Sequence, residues 1–435
     1  MKSEYMFLLF GISANVLFFL IGYLWCKINY RETDESEYFS TKKSNRKKSN
    51  KNMKLVEIDS SKVVVDIKTD TLEKKYQDLG EVKNSEEKIT DSVNKLKNMK
   101  RWFMAGLDVG TSFIVLSKEV EVNIQYKDFR DAFYVIKPTT PVATKMIEKG
   151  LANKVFIKDV DGSFILLGKD AIEKAIERND TAKRPMYRGV VSAKEKDAKR
   201  ILAFILKEVV GQASEPGEKL VFCVPAQPVD QEDDDFDVGY HEDVVKTVLS
   251  ECGYNARAIN EAEALCYAEL ENDDYTGVAI SCGAGMTNVC VMLNGEPTVV
   301  FSTTKSGDWV DRMSAVATGE PDSVVQVEKE GGGFVIGEPN ENPVLAAVSA
   351  YYERLIDYTT KNLAVALANH KLLPKFKEPL SVVVAGGTSQ AAGYVENFKN
   401  KLEENGFPLP VKEVRHASDP LHAVSKGCLI ASQVL

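Results

Sequence analysis

Gly106-Leu107-Asp108-Val109-Gly110-Thr111 follows the apolar run Trp102–Ala105 and precedes another, Phe113–Leu116. Two apolar runs around a glycine-containing turn predict a hairpin, whose small polar side chains here are Asp108, Thr111 and Ser112. Glycine carries no Cβ, so backbone N–H groups in such a turn can come close to an anion. The carboxylate of Asp108 would repel a bare phosphate, so the loop makes chemical sense with a cation beside it.

A second loop of the same plan lies in the other half of the chain, Ile280-Ser281-Cys282-Gly283-Ala284-Gly285-Met286-Thr287. Between the two, Asn260-Glu261-Ala262-Glu263-Ala264 opens a helix after a short strand, and near the end Val384-Ala385-Gly386-Gly387-Thr388-Ser389 runs from strand into helix. The segment Asp419–Cys428 then begins a closing helix. Strand-like runs at 133–135, 155–157, 164–167, 220–224 and 256–259 alternate with helical patterns at 170–178, 197–210 and 239–251. A long helical pattern covers 344–367, and further helices are expected at 393–405 and 420–434. A strand meander followed by βα units therefore occurs twice, which implies an α/β chain of two related lobes with a cleft between them.

The order of these segments resembles the actin / Hsp70 / sugar-kinase ATPase superfamily, whose phosphate-1 loop, first connecting helix, phosphate-2 loop, adenosine loop and second connecting helix all find counterparts over residues 104–430. Within it the chain is most similar to bacterial actin homologues of the MreB and MamK kind. Arg184–Val191 matches their "rPmkdGvi" segment, Leu167–Ala171 their "vGeeA", Gly307–Asp311 their "GGdklD", and Gly319-Glu320-Pro321 echoes their "GErtaE". The resemblance implies a two-lobed actin-like ATPase fold of duplicated ribonuclease-H-like domains, with lobe I at 100–262 and lobe II at 263–435, the last helix returning to lobe I.

It also implies ATP and Mg²⁺ as cofactors. Gly110, Thr111 and Ser112 from one loop, and Ser281, Gly283, Ala284, Gly285 and Thr287 from the other, would face the β- and γ-phosphates. Asp108 would meet the metal through water, since Mg²⁺ keeps most of its hydration shell. Glu261 stands where the family orients the attacking water, and is with Asp108 the catalytic candidate. Gly386, Gly387 and Thr388 would carry the adenosine, and Glu320 would reach the ribose. One position departs from the pattern. The family's second loop starts with Asp, and here that residue is Ser281. A hydroxyl brings no charge to the cation, so the expectation is ATP binding with weak or absent hydrolysis.

The first residues differ in kind. Met6–Trp25 carries no charge and is long enough to span a bilayer as a helix. The basic cluster Lys42, Lys43, Arg46, Lys47, Lys48, Lys51 and Lys54 follows it, so the positive-inside bias predicts a single-pass anchor (6–25) in the cytoplasmic membrane with the body in the cytoplasm. Residues 26–69 read as a basic disordered linker. Residues 70–99 read as a helical spacer, in which Leu72, Leu79, Val82, Ile89, Val93 and Leu96 fit either a short coiled coil or a solvated single helix. The net charge of −9 argues against nonspecific nucleic-acid binding. Seven cysteines without a C-x-x-C pair read as reduced, buried thiols.

Three jobs fit. One is a membrane-anchored filament subunit that associates with itself head to tail, or dimerises through the coiled coil. A second is a nucleotide switch, similar to Hsp70-like or pilus-assembly adaptors, that recruits an unknown protein partner. A small-molecule kinase is the third, with no extra acceptor-binding domain to support it.

Overall fold

The computed structural model describes residues 104–120, 123–231, 236–371 and 373–435. The candidate anchor, linker and helical spacer, residues 6–99, lie outside the described residues, as do positions 232–235 within the acidic stretch 230–237. Among the described residues no helix is long and apolar enough to cross a membrane.

In lobe I, β1 (Met104–Val109), β2 (Phe113–Val120) and β3 (Asn123–Arg130) form an antiparallel meander. A small subdomain follows, with β4 (Phe133–Ile136), α1 (Pro141–Gly150), β5 (Phe156–Lys158), β6 (Phe164–Leu167) and α2 (Lys169–Glu177). A two-stranded hairpin, β7 (Met186–Tyr187) and β8 (Val190–Val191), leads to α3 (Ala198–Val210), β9 (Glu218–Val224), α4 (Val238–Glu251) and β10 (Tyr254–Asn260). The five-stranded sheet runs β10-β9-β1-β2-β3, with β9 and β10 parallel to β1.

The chain then enters α5 (Glu261–Glu269) and repeats the plan. The meander is β11 (Gly277–Cys282), β12 (Thr287–Leu293) and β13 (Glu296–Thr303). After it come α6 (Gly307–Thr318), α7 (Asp322–Gly331), α8 (Pro343–Ala368), β14 (Leu380–Ala385), α9 (Tyr394–Glu404), β15 (Val411–His416) and α10 (Ala423–Val434). Its sheet runs β13-β12-β11-β14-β15, again with two parallel strands added to an antiparallel meander. The two sheets share one topology, which is the duplication the alternating pattern predicts.

Local chemistry places the elements. Parallel strands covered on both faces read as unbroken apolar runs, and all six residues of β14 are buried. Asn260 caps α5 by accepting from the N–H groups of Ala262 and Glu263, and Asn342 caps α8 likewise, with Pro343 in the first turn; such caps satisfy helix donors that have no intrahelical partner. Gly332 and Gly333 both take positive φ (75° and 84°) and end α7. The glycine run after Glu330 is therefore a helix terminus.

Each lobe has its own apolar core, and a third core lies where α5 and α10 meet β9, β11 and β14. The contact there is backbone to backbone. A Cβ on Gly427 would stand 1.7 Å from the carbonyl oxygen of Ala264, and one on Gly106 would stand 2.2 Å from Leu429 N. Glycine is thus required at both positions for α10 to sit on α5 and on β1. The six cysteines among the described residues are free and buried.

Candidate functional site

The turn after β1 and the turn after β11 come together. A Cβ on Gly285 would lie 2.5 Å from Thr111 Oγ1 and 3.1 Å from Gly189 N, and Gly189 N–H itself donates to Thr111 Oγ1 at 2.9 Å. The hairpin β7–β8 is wedged between the two loops. Gly283 N–H closes its own turn on Met286 O at 3.0 Å. The carbonyl of Gly283 accepts from Ser306 Oγ (2.6 Å) and from Thr388 Oγ1 (2.7 Å). Thr287 Oγ1 donates to Ser306 Oγ at 3.2 Å, so its hydroxyl braces the second loop from behind. Ser112 contributes its carbonyl to Asp131 N–H at 3.0 Å.

The segment 386–388 closes on the same loop. Gly386 adopts φ 91°, and a Cβ there would stand 2.3 Å from Cys282 O, while a Cβ on Gly387 would meet open space. Gly386 is therefore where the strand end presses on the second loop, and Gly387 faces outward. Glu320 is exposed on the Gly319 turn between α6 and α7, with its N–H toward Thr318 Oγ1 at 3.5 Å. The side chain that reaches the second loop's neighbourhood from this region is instead Lys329 on α7, which pairs with Asp311 at 2.8 Å and approaches Gly307 O at 3.4 Å.

Two half-buried carboxylates lie at these loops. Asp108 accepts from the Cys223 thiol at 3.1 Å, and that sulfur in turn accepts from Val109 N–H at 3.4 Å. Glu261 Oε1 accepts from Ser281 Oγ at 2.6 Å and Glu261 Oε2 from Asn288 Nδ2 at 2.8 Å. Burial, opposed by the Cys223 bond and by the charge of His422, pushes Asp108 up to about 6. Burial and the neighbouring charge of Asp108 push Glu261 up to about 8, against the Ser281 bond. Both shifts have the cause expected of neighbouring carboxylates partly withdrawn from water, and such perturbed groups at a cleft mark functional sites.

Asn288, Cys223, Arg184 and Lys329 are not among the site residues expected from the sequence, although Arg184 opens the quoted 184–191 motif. Asn288 was within reach of the hairpin register, because Ser281 and Asn288 face each other across β11 and β12 and cross-strand partners share a face of the sheet. Cys223 carries no such signal: it stands beside Asp108 because β9 runs parallel to β1 with Leu107 opposite Phe222. Arg184 spans the lobes, its Nη1 donating to both carboxylate oxygens of Asp308 at 2.7 and 2.8 Å.

A family model described as Volactin matches residues 103–432. The chain belongs to the Volactin family. The match covers both lobes and both loops. Comparison with curated proteins found no match. Among solved structures, a MamK double helical filament is similar at a TM-score of 0.58 and 19% identity, covering 77% of this chain and 99% of that one. MreB 5 of Spiroplasma citri bound to AMPPNP is similar at a TM-score of 0.52 and 14% identity, covering 77% of this chain and 97% of that one. The same protein bound to ADP gives a TM-score of 0.50 at 14% identity over the same shares. These likenesses place the fold of this Volactin-family body with the bacterial actin homologues, as the order of the loops implied.

Proposed function

We propose that this chain is a membrane-anchored, ATP-binding, actin-like filament subunit with weak or absent hydrolysis. The observation that carries the reading is the meeting of Thr111 and Gly285, one loop from each lobe, above Asp108 and Glu261. Two glycine turns with backbone N–H groups suit a polyphosphate, and a carboxylate pair suits a hard cation that neutralises it. Asp108 would meet a hydrated Mg²⁺ through water, the ion supplying the positive charge that phosphoryl transfer needs, and Glu261 would orient the attacking water. Gly110, Thr111, Gly283 and Gly285 would hold the phosphates, and Gly386, Gly387 and Thr388 the adenosine.

The similar MreB 5 is bound to AMPPNP and the similar MamK forms a double helical filament, which supports nucleotide binding and self-association here. Head-to-tail stacking is a heterologous contact and leaves an open polymer. The uncharged stretch 6–25 and the basic residues after it support attachment to the cytoplasmic membrane with the body inside. Ser281 in place of a carboxylate supports slow turnover.

Sedimentation of the full-length protein, held in detergent micelles, with Mg²⁺ and ATP tests the proposal. Material that pellets with ATP and stays in solution without it is the expected result. A protein that binds ATP and stays monomeric would favour the nucleotide switch with a protein partner. Absence of adenine-nucleotide binding by calorimetry would overturn both.

A further inference from the structure

We propose, resting on the nucleotide-binding reading above, that Asp230 of lobe I is a positioning residue for the second glycine loop, setting from across the lobe boundary the backbone that would cradle the phosphates.

The chain leaves β9 at Val224, crosses out of lobe I and lies along the edge of β13 in lobe II. Val229 N–H donates to Ser302 O at 2.9 Å, Ser302 N–H to Gln227 O at 3.1 Å and Ser302 Oγ to Ala226 O at 2.7 Å, with Pro228 opposite Ser302 in a parallel bridge. The crossing ends on Asp230, the first residue of the acidic stretch 230–237. Asp230 is half-buried, and its carboxylate takes three donors from lobe II. Thr304 N–H donates to both oxygens at 2.9 and 3.0 Å, Thr304 Oγ1 donates to Oδ2 at 3.0 Å, and Tyr358 Oη of α8 donates to Oδ2 as well. Hydrogen bonds to a carboxylate are roughly twice as strong as those between neutral groups. The sheet register ends with Thr287 opposite Thr303, so Thr304 N–H has Asp230, and not a strand, as its acceptor.

Thr304 begins the short segment that braces the second loop. Lys305 O accepts from Thr287 Oγ1 at 3.4 Å, and Ser306 Oγ donates to Gly283 O at 2.6 Å. Gly307 N–H reaches the same carbonyl at 3.3 Å, and Asp308 N–H donates to Ala284 O at 2.8 Å. Lys305 Nζ lies 4.1 Å from the centre of the Tyr358 ring, so the phenol that donates to Asp230 also steadies the middle of the brace. These donors turn the Gly283 carbonyl into lobe II. In a trans peptide the next N–H points the opposite way, so Ala284 N–H is presented away from the brace, beside the Gly285 that meets Thr111. A displaced brace turns this peptide, and Asp230 holds the end of the brace where the sheet stops.

Full-length protein in detergent micelles, carrying Asp230→Asn or Tyr358→Phe, tests the role; both changes nearly preserve side-chain shape. Calorimetry with Mg²⁺ and either ATP or adenosine reads the phosphate cradle against the segment at Gly386–Thr388. ATP affinity is expected to fall about tenfold in Asp230→Asn and less in Tyr358→Phe, with adenosine affinity equal to the parent's. Amide hydrogen exchange without nucleotide is expected to quicken at Gly283, Gly307 and Asp308, whose N–H groups close the loop and tie it to the brace. A staple with no positioning role would quicken exchange only at 226–231 and 302–304, and would weaken both ligands alike or neither; either result overturns the proposal. A parent protein that binds neither ligand sinks the nucleotide reading alone, and exchange at Gly283 then decides whether Asp230 sets the loop.

Discussion

Ser281 Oγ donates to Glu261 Oε1 across 2.6 Å, so the residue that departs from the superfamily pattern is bonded to the candidate catalytic carboxylate. A carboxylate at position 281 would face Glu261 at hydrogen-bond distance, and two ionised carboxylates there need a cation or a shared proton between them. Ser281→Asp is therefore expected to lower thermal stability without Mg²⁺ and to regain it with Mg²⁺. Under the proposed function the same change raises single-turnover hydrolysis by about 10²–10³, the usual worth of a group acting on developing charge. Rates equal to the parent's would show that the aspartate is not needed here.

Asn288 holds the other oxygen of Glu261 and also accepts from Ala226 N–H at 2.8 Å. Asn288→Ala frees the carboxylate and leaves a buried N–H unsatisfied, an expected loss of about 1–3 kcal/mol. Urea titration reads the loss. Asn288→Asp keeps the acceptor for Ala226 but sets two carboxylates together, so its defect is expected to grow as pH rises, which a merely structural change would not do.

The pH dependence of stability follows from Glu261 and Asp108. Burial pushes Glu261 up to about 8 from an ordinary 4.5, and Asp108 up to about 6 from an ordinary 3.8. Between each pair of values the folded state holds more protons than the unfolded state. Stability therefore falls as pH rises through that window. The thermal midpoint is expected to decline from about pH 5 toward pH 8, and Glu261→Gln is expected to flatten the upper part of the decline. An unchanged slope in that variant would refute the assignment.

His241 on α4 works in the opposite direction. It is fully buried, neither ring nitrogen has a hydrogen-bond partner, and burial lowers it from 6.5 to about 4. The unfolded chain takes up the proton first, so stability attributable to this group is lost as pH falls from 6.5 toward 4. His241→Leu is expected to remove that acid sensitivity and to stabilise the protein at neutral pH by about 1 kcal/mol, since an unsatisfied buried polar group is replaced by an apolar one. Urea midpoints at pH 5 and pH 7 check both statements.

Gly427→Ala tests the packing of the two connecting helices. The added methyl group would meet the Ala264 carbonyl at 1.7 Å, a backbone atom that cannot rotate away. Overpacking of this kind costs about 1–3 kcal/mol or more. Thermal unfolding of the variant should show the loss, whereas Gly319→Ala, which meets open space but has φ 80°, is expected to show only the smaller strain of a positive φ.

Much of the architecture was legible because it is written locally. Glycine turns between apolar runs located both hairpins, unbroken apolar runs located β9 and β14, and Asn260 marked the start of α5. The order of those segments implied the actin-like fold, and the register of the second hairpin places Asn288 opposite Ser281. What the sequence could not supply was the partner of any polar side chain far along the chain. The thiol beneath Asp108 lies 115 residues away and the aspartate that holds Arg184 lies 124 away. The physical reason is that backbone preference and apolar periodicity act over a few residues. Hydrogen bonds and ion pairs between lobes are set by where whole sheets and helices come to rest. Thus the sequence alone determined two glycine loops and the lobes that carry them, and only the tertiary structure decided which carboxylate Ser281 touches and which aspartate Arg184 grips.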